Sequence, residues 1–168
     1  MMEQPIPHEH KVSLCEIWRA GRSRRWHTHA DVAQTNDPLD GHHARVAKLM
    51  LALVPDVSRD ALIAALTHDD GEPSVGDMSY RVKIENPQFY AELDDMERRA
   101  RDKMWGFPHC INEREQSLLN LCDRLDSWLW VSHHVPQIMS RPEWVAMREH
   151  LKTLAASLDL LGHVDEVL

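Results

Sequence analysis

The chain has 168 residues, 43% of them hydrophobic and 27% charged, and a formal net charge of -8. That size and mix suit one globular domain with a single core. The acidic balance argues against a protein that tracks a nucleic-acid polymer or an anionic membrane surface.

Residues 1–10 read as a loose, polar leader in which Pro5 and Pro7 oppose regular structure. They lack the apolar stretch of a signal peptide, and no apolar run approaches the ~20 residues of a membrane span. Cys15, Cys110 and Cys122 are scattered without a CxxC, which suggests ordinary thiols in a reducing compartment. A cytoplasmic protein is expected, with residues 11–168 forming the single domain.

A first short helix is predicted from Val12 to Ala20, stopping at Gly21. Arg22 to Asp40 has no sustained period and reads as a loop carrying functional side chains. Leu39 to Val54 is predicted helical, ended by Pro55. Its apolar residues Val46, Ala47, Met50, Leu51 and Val54 follow His43 at helical spacing, which puts His43 on the inward stripe. His42 is rotated about 100° from it. Ser58 is a candidate N-cap for a helix to about Asp69. Gly71, Pro73 and Gly76 then punctuate a tight loop from Asp70 to Tyr80. Pro87 begins a charged helix to about Met104, and a long helix follows from Asn112 to Val131. Pro142 opens a last helix that ends near Gly162. With no strand pattern and no repeat, the expectation is an all-α orthogonal bundle of about six helices.

His68-Asp69 stands where the apolar run Ala61 to Thr67 meets the acidic stretch Asp70-Gly71-Glu72. Such a pair at the end of a core helix is costly to bury unless something pairs with it, and a metal ion would. His43 upstream and Asp123 downstream complete the order His … His-Asp … Asp, two nitrogens and two oxygens. That set suits Mn, Fe, Co, Ni or Zn better than Ca or Mg, and leaves room for a water acidified toward hydroxide. It points to a metal-dependent phosphohydrolase. Asp126, one turn beyond Asp123, competes for the fourth position, and periodicity does not separate the two.

Arg25-Trp26, the run Gly41-His42-His43-Ala44-Arg45-Val46-Ala47 and the pattern HD-x-x-E-x-x-x-GD from His68 to Asp77 together resemble HD-domain phosphohydrolases. The similarity spans roughly residues 22 to 130 and is closest to the bacterial 5′-deoxynucleotidases and the phage dATP triphosphohydrolases. The resemblance implies an HD-domain bundle with His43, His68, Asp69 and Asp123 on a divalent transition metal. It implies that Glu72 orients or deprotonates the attacking water, and that Asp77 holds substrate or protonates the leaving oxygen. Lys83 would neutralise phosphate. Arg25 would clamp phosphate oxygens while Trp26 packs on sugar or base. Arg81 stands where the family often has proline, which alters the loop and adds a cation near substrate.

The activity so implied is release of deoxynucleoside and phosphate from a deoxynucleoside monophosphate. Arg22, Arg24, Arg25, Arg81 and Lys83 also suit a triphosphate releasing tripolyphosphate, and a non-catalytic metal or nucleotide binder is the other alternative. His27-x-His29 reads as surface histidines before a second metal site. Trp128, Trp130 and Trp144 suggest an apolar contact in a homo-oligomer, a dimer or higher.

Overall fold

The computed structural model describes residues 12–76, 78, 82, 85–108 and 110–168. The expected leader lies outside them, as do Asp77, Arg81 and Lys83. Among the described residues the protein is all-helical, with no strand beyond one isolated antiparallel bridge between Arg24 and Pro38. No helix there is long and apolar enough to cross a membrane.

Helix α1 covers Leu14–Gly21. Turns and the Arg24 bridge then carry the chain to α2, Leu39–Leu53. Ser58 caps α3, Arg59–Thr67, its side chain accepting from the Ala61 amide at 3.1 Å. His68 and Asp69 follow directly in the turn. The expected loop beyond them contains a further short helix, α4, Glu72–Val75. Pro73 interrupts nothing there, because the first turn of a helix needs no amide donor. Gly76, at φ 97, ends it.

Pro87 opens α5, Pro87–Trp105, which Gly106 closes in the left-handed region at φ 76. Asn112 and Glu115 form a reciprocal capping box at the head of α6, Glu113–His134. A 3-10 turn, Pro136–Ile138, leads to α7, Pro142–Ser157, and α8, Leu161–Val164.

α2 packs against both α3 and α6, and α6 against α7. Val46 and Met50 of α2, Ala61 and Ala65 of α3, and Leu121, Cys122 and Leu125 of α6 form one buried core. Leu151 and Ala155 of α7 extend it. Because α2 packs against α3 and α6 at once, and touches α1 as well, it buries an arc wide enough to take in His42 and His43 together, not one stripe.

α5 lies against α4 and crosses the turn after the His-Asp pair. A Cβ on Gly71 would sit 1.9 Å from the Glu97 carbonyl oxygen, so only glycine permits this approach. From α5, Trp105 Nε1 donates to Asp70 at 2.8 Å. Burial nonetheless pushes the Asp70 carboxyl up to about 6.

The tryptophans expected to mark an oligomer contact are elsewhere. Trp128 and Trp144 belong to the core, and Trp130 is half-buried, donating to Thr35 Oγ1 at 3.0 Å. Trp128 and Trp144 thus lie in the core that α6 and α7 share, and the Arg45 guanidinium lies over the Trp130 ring.

Candidate metal centre

Two nitrogens meet where α2, the end of α3 and α6 converge: His42 Nε2 and His68 Nε2, 3.2 Å apart. Asp123 Oδ1 lies 3.2 Å from His42 Nε2, and Asp69 Oδ2 lies 3.5 Å from it. Asp69 Oδ2 is also 3.3 Å from His68 Nε2. His42, His68 and Asp69 each offer a ligand atom, all within 4.8 Å of one another.

The far side of each ring decides what the near side can be. His42 Nδ1 is 2.7 Å from Asp126 Oδ2, and since a carboxylate only accepts, Nδ1 carries the proton. His68 Nδ1 is 3.0 Å from the Ala65 carbonyl oxygen and donates likewise. With neither ring carrying a second proton, both turn lone pairs toward each other, among two carboxylates. Four electron-rich groups cannot share that space without a cation between them.

Without a metal the cation is a proton. Burial opposes charge on His42, but its bonds to Asp123, Asp126 and Asp69 prevail and raise its pKa to about 10. Burial likewise opposes ionisation of Asp69 and Asp123. The neighbouring His68 ring and the bond to His42 overcome it and hold Asp69 well below the usual carboxylate range. For Asp123 the bond and charge of His42 do the same, lowering it to about 2.

The surrounding charges leave a definite remainder. Asp126 accepts from Arg45 Nε at 2.6 Å and Nη2 at 3.1 Å, and lies 3.4 Å from Arg25 Nη1. Asp37, fully buried, accepts from Arg45 at 2.7 Å, Trp26 Nε1 at 3.1 Å and Arg25 at 3.4 Å. Those two arginines balance those two aspartates. Once His42 gives up its second proton, Asp69 and Asp123 keep two negative charges beside the imidazoles, the complement of a divalent ion. The donor set fits a borderline transition metal, and the carboxylate behind His42 is the usual support of a metal-binding imidazole.

No protein-family model, curated protein or solved structure matches this chain.

Of the four expected ligands, His68 and Asp69 come together, with His42 in the place given to His43, and Asp123 joins them through its 3.2 Å contact with His42 Nε2. His43 is buried on the adjacent side of α2 with Nε2 unpartnered and Nδ1 3.8 Å from Asp70. Burial lowers its pKa to about 3, so it is neutral. The single-stripe reading of α2 favoured His43, whereas the second packing face toward α6 also turns His42 inward, to the cluster. Asp126 meets Nδ1 of His42, while Asp123 meets Nε2 on the side of His68 and Asp69.

Arg25 and Trp26 are placed as holding residues. Arg25 reaches Ser127 Oγ at 2.9 Å and Asp123 at 3.5 Å, besides Asp37 and Asp126. The Trp26 indole, at backbone φ 66, hydrogen-bonds Asp37 and stands near the rings of His29 and Trp144. Glu72 begins α4, one turn after Asp69, on the wall of an open cleft of about 370 Å³. His27 and His29 do not converge: His27 is exposed, and the His29 ring lies beside the two tryptophans.

Asp37, Arg45 and the supporting role of Asp126 were not read from the sequence. Arg45 could have been, since it lies three residues after His42 and hence on the same side of α2. Asp37 carries no local signal.

Binding a divalent ion should displace the His42 proton. About one proton per ion is expected at neutral pH, with affinity rising about tenfold per pH unit below the His42 pKa. Calorimetric titration in buffers of different protonation enthalpy measures this directly. Binding without proton release would remove His42 from the site.

Proposed function

We propose that this chain is a metal-dependent phosphohydrolase that attacks the α-phosphorus of a 2′-deoxynucleotide, releasing deoxynucleoside and phosphate. The observation that carries the metal is the meeting of the His42 and His68 Nε2 lone pairs beside Asp69 and Asp123. The choice of substrate rests on the resemblance to HD-domain phosphohydrolases.

A bound divalent ion of the Mn, Co, Zn, Ni or Fe type supplies Lewis acidity, bringing deprotonation of water into the neutral range. The chain's own groups do the rest. His42 and His68 would hold the ion through Nε2, and Asp69 and Asp123 would carry the balancing charge. The side chains of these carboxylates keep 23% and 36% of their surface accessible, which leaves solvent and substrate an approach. Glu72, one turn beyond Asp69, takes the proton from the attacking water. Asp77, Lys83 and Arg81 retain their proposed roles at the leaving oxygen and the phosphate.

The monophosphate is preferred because Arg25, one of the cations that suited a longer phosphate chain, is engaged by Asp37, Asp123 and Asp126. The test is incubation with separate deoxynucleoside mono- and triphosphates under Mn, Co and Zn, the products resolved by chromatography. Deoxynucleoside with inorganic phosphate is expected. Tripolyphosphate would establish the other reaction, and no product with metal bound would leave a binding role.

A further inference from the structure

The cleft beside Glu72 has two walls. Ser23, Arg24, His27 and Leu39 form one, and Glu72 and Pro73 line the other. Its volume of about 370 Å³ falls within the range of small-ligand sites. Each wall continues a segment of the metal centre. Leu39 begins the helix that bears His42 three residues later, and Glu72 follows Asp69 by three. Arg24 adjoins Arg25, which reaches Asp123. Both walls of the cleft thus lie about one helical turn along the chain from His42 and Asp69.

Arg24 and Arg25 have been put to opposite uses by local backbone geometry. The segment is extended: Arg24 bridges Pro38, the Arg25 amide donates to the Asp37 carbonyl at 2.9 Å, and the Leu39 amide donates to the Ser23 carbonyl at 2.9 Å. Successive residues of an extended segment face opposite ways. Arg25 turns to the buried carboxylates, and Arg24 turns to the cleft. Among the described residues no carboxylate pairs with Arg24, although the chain carries eight more acidic than basic side chains. An exposed guanidinium at the rim of an acidic protein's metal-site cleft is suited to bidentate contact with oxyanions.

We infer that the cleft is an oxyanion subsite in which Arg24, with Ser23 beside it, binds phosphoryl oxygens. The inference rests on the phosphohydrolase reading for its ligand class. The oxygens belong either to the phosphate at the metal centre or to phosphates beyond it, and Arg24 recognises the same chemistry in both.

The test measures binding and needs no turnover. Inorganic phosphate and tripolyphosphate are titrated into the full-length chain, kept in chelator so that no ion at the cluster binds the anion itself. Arg24→Ala should weaken binding about tenfold, the scale of a charge-assisted bond, and Arg24→Lys should restore part of it. Arg148→Ala, an exposed change outside the cleft, should leave it unaltered. Weakened binding of both anions assigns Arg24 to the phosphoryl group itself, and weakened binding of tripolyphosphate alone assigns it to the chain beyond. Equal affinities of wild type and Arg24→Ala for both anions would overturn the subsite. Failure of the phosphohydrolase reading appears separately, as absence of product from every nucleotide.

Discussion

Asp69→Ala should lose metal binding and turnover together while keeping its helical content. Asp69 contacts both Nε2 atoms of the cluster and supplies one of its two uncompensated charges. Its removal leaves two imidazoles and one carboxylate, a set that no longer balances a divalent ion. Loss of a supporting outer-shell partner typically costs 10- to 100-fold in affinity, so loss of a direct ligand should cost more than about 100-fold. The fold should survive because Asp69 sits in the turn after α3, outside the apolar core, and its side chain is partly accessible. Metal analysis, product chromatography and circular dichroism measure the three quantities. A fully active Asp69→Ala protein would sink the mechanism.

Asp37→Ala should destabilise the whole domain. Asp37 is fully buried and receives Arg45, Arg25 and the Trp26 indole, which tie residues 25 and 26 to α2. Removing one member of such a network leaves buried positive charge without its partner, a cost of about 3 kcal/mol. For a chain of this size that lowers Tm by roughly 6–12 °C. Metal affinity should fall as well, by about tenfold, because Arg45 then loses the anchor that aims it at Asp126 and, through Asp126, fixes His42. Asp37→Asn keeps an acceptor for Trp26 and should recover part of the stability. Thermal unfolding with a parallel metal titration tests both effects. Unchanged Tm in Asp37→Ala would show that the arginines find equal partners elsewhere.

Much of the fold was legible because its signals are local. Pro87, Pro142, Ser58 and Asn112 mark helix starts through backbone chemistry that needs no tertiary partner. The segment from Glu72 to Val75 was misread as loop because proline and glycine punctuate loops and short helices alike. His68 and Asp69 were legible because adjacent ligand types at the end of an apolar run are conspicuous. The choice between His42 and His43 was not, since it depends on how many helices α2 touches, a property of the assembled bundle. Arg25 shows the same limit. The resemblance assigns it to phosphate, whereas Asp37 and residues about 100 positions away, Asp123, Asp126 and Ser127, hold it.

Asp123 and Asp126 are one turn apart on α6 and address the two opposite nitrogens of a single imidazole on α2. The ring works as a gauge set between two helices. Sliding α6 along its axis, or rolling it against α2, would open one contact as it crowded the other. The core side chains Val46, Met50, Leu121 and Leu125 that fix this alignment thereby acquire a chemical readout. Metal occupancy would register the seating of two core helices in a molecule that otherwise still looks folded.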